Sequence, residues 1–154
     1  MLKVKPFRQK PGFCGPYSLK MVLEYFGIKK NIKELSRLCK CKSSKGTKAE
    51  DLLKVAKNFG LKGFIKDFSK IKDIKKYVLK EKIPVIVNWF STDEGHYSVV
   101  VDIDTKNIYL QDPELGHVRS MKIKNFKRVW FDFLYNFLYS KDEVIIRRMI
   151  VIRQ

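Results

Sequence analysis

Three residue types in this chain could together perform nucleophilic chemistry: Cys14, His96 and Asp112. Cys14 lies in Gln9-Lys-Pro-Gly-Phe-Cys14-Gly-Pro-Tyr-Ser-Leu-Lys-Met-Val-Leu-Glu-Tyr-Phe26-Gly27, immediately before an apolar helical stripe. Pro16 suits a first helical turn, because its missing N–H would be unpaired there anyway. A thiol so placed faces the positive end of the helix dipole, the setting in which cysteine serves as a nucleophile. The plain alternative is a small buried hydrophobe, as free cysteines often are.

His96 stands between Gly95 and the strand-like run Tyr97–Ile103, and Asp112 ends the next strand-like run, Ile108–Asp112. In a hairpin of these two runs the start of one strand lies near the end of the other, so imidazole and carboxylate become cross-strand neighbours. A carboxylate in that place fixes the tautomer and orientation of a histidine base. Gln9 supplies a neutral amide a few residues before the thiol.

These side chains need two kinds of element to bring them together. Leu19, Val22, Leu23 and Phe26 follow helical spacing, with Gly27 as the stop. Asn31–Glu34 and Thr47–Glu50 each set a capping side chain three residues before a glutamate, predicting two more helix starts. The second opens the stripe Leu52, Leu53, Ala56, Phe59, and Ile71, Ile74 and Val78 suggest a further helix before Pro84. From Pro84 the period becomes that of strands: 84–90, 97–103, 108–112, then 117–123, with Val144–Ile152 closing. Trp130, Phe131, Phe133, Leu134, Phe137 and Leu138 have helical spacing and read as core. Helices first and antiparallel strands after them predict an α+β domain, a single one spanning residues 1–154.

Composition narrows the class. Hydrophobic residues make up 45% of the 154, enough for a core and too many for a disordered tail. Three cysteines, with Cys39 and Cys41 too close in sequence to bridge easily, argue against a disulfide framework and for a reducing compartment. No secretory h-region and no apolar run of ~20 residues is visible, so a cytoplasmic protein without a membrane span is expected. The net charge is +17, and residues 1–82 hold 23 basic and 7 acidic side chains of it, an excess of +16. That excess predicts a positive surround for the cleft, favouring acidic or extended substrates. It also raises nucleic-acid binding as a rival function. The lysines are interleaved with apolar positions as on solvated helix faces, and no nucleic-acid-binding motif accompanies them. Cys39-Lys-Cys41 lacks the soft partners that a four-ligand zinc site needs, so neither metal nor cofactor is expected.

The ordered pieces resemble the papain-like cysteine peptidases that cleave double-glycine leader peptides in bacteriocin export, and their stand-alone relatives. The matching residues are Gln9 with Cys14-Gly15-Pro16, Tyr25-Phe26-Gly27, Gly46-Thr47, Phe59-Gly60-Leu61, Ile83-Pro84-Val85-Ile86, Gly95-His96-Tyr97-Ser98-Val99-Val100, Asp112-Pro113-Glu114-Leu115-Gly116, Phe126 and Trp130. They run in family order over roughly residues 7–132. The resemblance implies a papain-like fold, an N-terminal helical lobe packed on a C-terminal antiparallel sheet, with the active site in the cleft between. It implies Cys14 as nucleophile, His96 as base and acid, Asp112 as orienting carboxylate, and the Gln9 side chain with the Cys14 N–H as oxyanion hole. Four residues separate Gln9 from Cys14, one fewer than is usual in that family.

The expected function is therefore a cysteine peptidase acting on a peptide or protein through a thioester acyl-enzyme. It would stand alone or depend on a separate transporter or precursor protein. A catalytically silent peptide-binding module of the same fold is the alternative, and a basic nucleic-acid-binding domain a weaker one.

Overall fold

The computed structural model describes residues 1–135 and 137–154. The first helix, α1 (Cys14–Tyr25), buries Leu19, Met21, Val22 and Leu23, and Gly27 follows it with φ 82°. The stripe read from the sequence is thus the buried face. Asn31 caps α2 (Ile32–Leu38) by accepting the Lys33 N–H at 2.7 Å. Helix α3 (Ala49–Asn58) lies where its apolar spacing put it, but Lys48, not Thr47, is its cap residue and gives no side-chain bond. Thr47 packs instead against Gly15, where a Cβ would stand 2.9 Å from the Thr47 Cβ. Helix α4 (Ile71–Lys75) continues as a wider π-helical turn, Lys76–Glu81, that buries Val78.

The strands β1 (Lys62–Lys66), β2 (Val85–Ser91), β3 (Glu94–Ile103), β4 (Asn107–Asp112), β5 (His117–Lys122) and β8 (Met149–Arg153) form one sheet, in the order β1-β8-β2-β3-β4-β5, with every pairing antiparallel. Strands β2 and β3 are buried along nearly their whole length, and their Val and Ile residues suit a sheet covered on both faces. One face, with Tyr97, Val99 and Val101, packs on α1, α2 and α3. The other, with Val85, Val87 and Leu110, is covered by α4, its π turn and α5 (Ile123–Val129).

Three expectations differ from the structure. Strand β1 had no counterpart in the sequence reading. The stretch 144–152 is two strands, β7 (Val144–Ile146) and β8, divided at Arg147, whose φ is 49°. The aromatic stripe from Trp130 is not a core helix: α5 ends before it, and Phe131–Phe133 form β6, paired with β7. Trp130 is buried, but Leu134, Phe137 and Tyr139 are 54%, 69% and 75% exposed. The burial need is already met by Phe126 and Trp130, and by Phe131 stacked on Phe90 with centroids 5.2 Å apart. The helical reading of this stretch crosses Asn136, which is outside the described residues. No described helix is long and apolar enough to cross a membrane.

Candidate active site

Cys14 opens α1, and its N-terminal neighbour Phe13 provides no side-chain cap, so the first-turn N–H groups are left to face the cleft. Across from it, β2 turns into β3 at Thr92-Asp93 and carries His96 in the third position of β3. Strand β4 ends at Asp112, which is completely buried. Val99 opposes Gln111 in the β3–β4 register. Continuing that register sets Ser98 opposite Asp112 and makes His96 its diagonal neighbour on the same face.

The geometry follows from this register. His96 Nε2 lies 2.6 Å from Asp112 Oδ1, which also accepts the Glu114 N–H at 3.0 Å. Cys14 lines the same cavity, close enough for its thiol and its charge to act on the ring. With Nε2 engaged by the carboxylate, the nitrogen left for the thiol is Nδ1. Burial by itself lowers the proton affinity of His96. Asp112 and Cys14 outweigh it and hold the imidazole up at about 10. Cys14, His96 and Gln9 line one cavity of about 360 Å³, within the ~300–1,000 Å³ range of ligand clefts.

Gln9 reaches this cavity despite its short spacing from Cys14, held by its backbone N–H bond to the Pro113 carbonyl at 2.7 Å. Its Nε2 donates to the Lys10 carbonyl at 3.2 Å, while its buried Oε1 has no partner among the described residues. To present its nitrogen to the cleft the amide must give up the Lys10 carbonyl.

The peptidase C39 family matches residues 8–137. The chain belongs to this family. Among relatives of this C39 chain, an uncharacterised protein of Methanothermobacter marburgensis is 31% identical over 115 residues, covering 73% of each chain. One of Methanothermobacter thermautotrophicus is 30% identical over 118 residues, covering 76% of this chain and 75% of its own. Three solved structures share the fold of this C39 chain. A double glycine motif protease from an AMS/PCAT transporter, solved with its leader peptide, superposes with a TM-score of 0.75 at 22% identity, covering 98% of this chain and 91% of that one. The peptidase domain of Streptococcus ComA gives 0.74 at 21%, covering 97% and 98%. A putative C39-like peptidase from Bacillus anthracis gives 0.72 at 18%, covering 97% and 94%. The mixed helix and antiparallel-sheet architecture of the C39 chain is that of these domains.

Two supporting residues escaped the sequence reading. Trp89 opposes His96 in the β2–β3 register, and its ring meets the imidazole edge-on at 5.5 Å, fixed by an indole N–H bond to Ser98 Oγ at 3.0 Å. Arg119 Nε lies 2.9 Å from Asp112 Oδ2, and its guanidinium stands over the Trp89 ring at 5.4 Å. Asp112 Oδ2 has no aligned hydrogen bond, so Arg119 serves it as a charge rather than a directed donor. Both were readable once the hairpins were drawn, since Arg119 opposes Leu110, one pleat from Asp112.

Other candidates fall away from the cleft. His117 is exposed on β5 and its ring meets only the backbone, at the Val118 carbonyl. Cys39 is fully buried, packed with Leu35 in the core. His96, Asp112 and Glu114 place three potential metal ligand atoms within 4.8 Å of one another. A cation there would have to displace the 2.6 Å His96–Asp112 hydrogen bond, so the cluster reads as a positioned imidazole. The expected positive surround is also corrected: the charged residues lining the cleft are Asp93, Glu94 and Asp132 against Lys45, with His96 between them. The lysine excess sits elsewhere, on the N-terminal segment, the loops and the helices.

Proposed function

We propose that this C39 family member is a cysteine peptidase that cleaves a peptide or protein substrate with Cys14, His96 and Asp112. The observation that carries the reading is the His96 ring, held 2.6 Å from buried Asp112 through Nε2, with Cys14 beside it in the same cavity. His96 takes the Cys14 proton, and the thiolate attacks the scissile carbonyl carbon. The Cys14 N–H and the Gln9 amide nitrogen, released from the Lys10 carbonyl, hold the oxyanion, each donor worth ~3–4 kcal/mol. His96 then protonates the leaving amine as the C–N bond breaks, leaving a thioester on Cys14. Water, deprotonated by His96, attacks that thioester and releases the carboxylic acid. Asp112, backed by Arg119, keeps the ring in register through both halves.

A leader-bearing precursor with a double-glycine motif is the first substrate to try, by likeness to the protease solved with its leader peptide. Such a precursor would come to this chain directly or through a separate transporter. Purified wild-type protein is expected to cleave a synthetic peptide of this kind, with Cys14→Ala inactive and a thioester-linked fragment trapped on the wild type by acid quench. Cleavage retained in Cys14→Ala overturns the reading, and substrate bound but never cut by the wild type favours the silent module.

A further inference from the structure

Among the three carboxylates of the cleft, Asp132 lies deepest. Its carboxylate presses against the backbone of Gly95, the residue preceding His96, so closely that a Cβ at position 95 would overlap it. Its Oδ1 accepts the Phe133 N–H at 2.7 Å, and the Asn88 side chain lies close enough to favour its charged form. Asn88 is 2% exposed, and its Oδ1 has no partner among the described residues. Arg148 is the cation whose charge reaches Asp132, but it is committed elsewhere, to Asp67 by bonds of 2.7 and 3.0 Å and to Glu50 at 3.7 Å. Asp132 itself forms no ion pair among the described residues. Burial pushes its carboxyl up, and the Phe133 N–H, the Asn88 side chain and the Arg148 charge pull it back only in part.

A desolvated carboxylate without a counter-ion, beside an acceptor without a donor, gains most from a group that brings positive charge and several N–H bonds together. A lysine ammonium offers three such donors and an arginine guanidinium five. Asp93 and Glu94, exposed at the turn above, add to the same field at the mouth of the cleft. An acidic side chain entering there would meet like charge, and an apolar one would leave the carboxylate without a counter-charge and Asn88 Oδ1 without a donor. We infer that Asp132 is a specificity residue, and that the substrate bears a lysine or arginine side chain that docks on it beside His96. This rests on the peptidase reading. It runs against the protein's overall charge of +17, which by itself would favour acidic partners.

The test uses tripeptidyl chloromethyl ketones on a glycine-alanine background, with lysine, norleucine or glutamate at each position in turn. The Cys14 thiolate displaces chloride and forms a thioether, and peptide mapping by mass spectrometry gives the rate at Cys14 alone. Lysine at one position is expected to react about tenfold faster than norleucine there, and glutamate slower than both. That ratio should shrink with added salt, a readout on the wild-type protein that needs no substitution. In Asp132→Asn the lysine-to-norleucine ratio should fall towards one, and in Asp93→Asn/Glu94→Gln it should fall by less. Equal rates for lysine and norleucine at all positions overturn the inference and leave the peptidase reading standing, as does a ratio that Asp132→Asn does not change. Failure of every probe to alkylate Cys14 overturns the peptidase reading, and this inference with it.

Discussion

Replacing Asp112 by asparagine isolates the coupling on which the site depends, and it can be read without any substrate. The asparagine keeps an oxygen for the Glu114 N–H and for His96, while removing the charge. His96 has its proton affinity raised from an ordinary 6.5 to about 10, with burial working against the rise and Asp112 and Cys14 producing it. At ~1.4 kcal/mol for each tenfold change in proton affinity, that corresponds to on the order of 5 kcal/mol. Sharing it between the two partners leaves about 2–3 kcal/mol to Asp112. Because the folded ring binds its proton more tightly than the unfolded one, this stabilisation is complete below about pH 6.5 and is lost as pH rises through about 10. The ion pair of Asp112 with Arg119 adds a separate offset to the gap, which is why its change with pH and not its size is the readout. Urea unfolding of wild type and Asp112→Asn at intervals from pH 6 to pH 10 should therefore show a stability gap that narrows by about 2 kcal/mol towards the alkaline end. Repeating the pair on a Cys14→Ala background removes the thiol's share. A gap that stays constant, or widens with pH, would refute the assignment of His96 protonation to Asp112.

Two further outcomes follow from neighbouring contacts. Gly95→Ala drives a methyl group into the Asp132 carboxylate, which is too short and too confined to swing away. It should cost ~1–3 kcal/mol of stability in urea unfolding, and pairing it with Asp132→Ala should recover most of the loss. Cys39, whose thiol is pushed up to about 12 by burial first and by Cys41 and Asp51 after it, should resist iodoacetamide up to pH 9 in the folded protein. Mass spectrometry after denaturation in heavy-labelled reagent checks this, and early labelling of Cys39 would contradict its place in the core.

Much of this was legible in one dimension because the chemistry is carried by regular elements. His96 and Asp112 are diagonal neighbours in a hairpin of two β-branched and aromatic runs around a short turn, so their meeting could be drawn from strand order alone. Cys14 was marked by the helix it begins. What the sequence concealed depends on contacts made far along the chain. Lys62–Lys66 is charged at both ends and becomes a strand only by pairing with β8, some eighty-five residues later. Thr47 has the spacing of a cap, but the approach of Gly15 claims it first. The aromatic run after Trp130 has helical spacing by coincidence, because Phe90 and the sheet edge take its first members as a strand. Net charge misled for a related reason: it averages over a surface, whereas a cleft samples a few side chains.

The position of β8 in the sheet carries a consequence for biogenesis. Strands β1 and β2 do not touch edge to edge; Met149–Arg153 slots between them and hydrogen-bonds to both. Until Met149–Arg153 are in place, an open seam beneath α3 separates β1 from the other strands. A chain that has emerged only as far as β5 can therefore pair β2 to β5 but cannot yet join β1 to them.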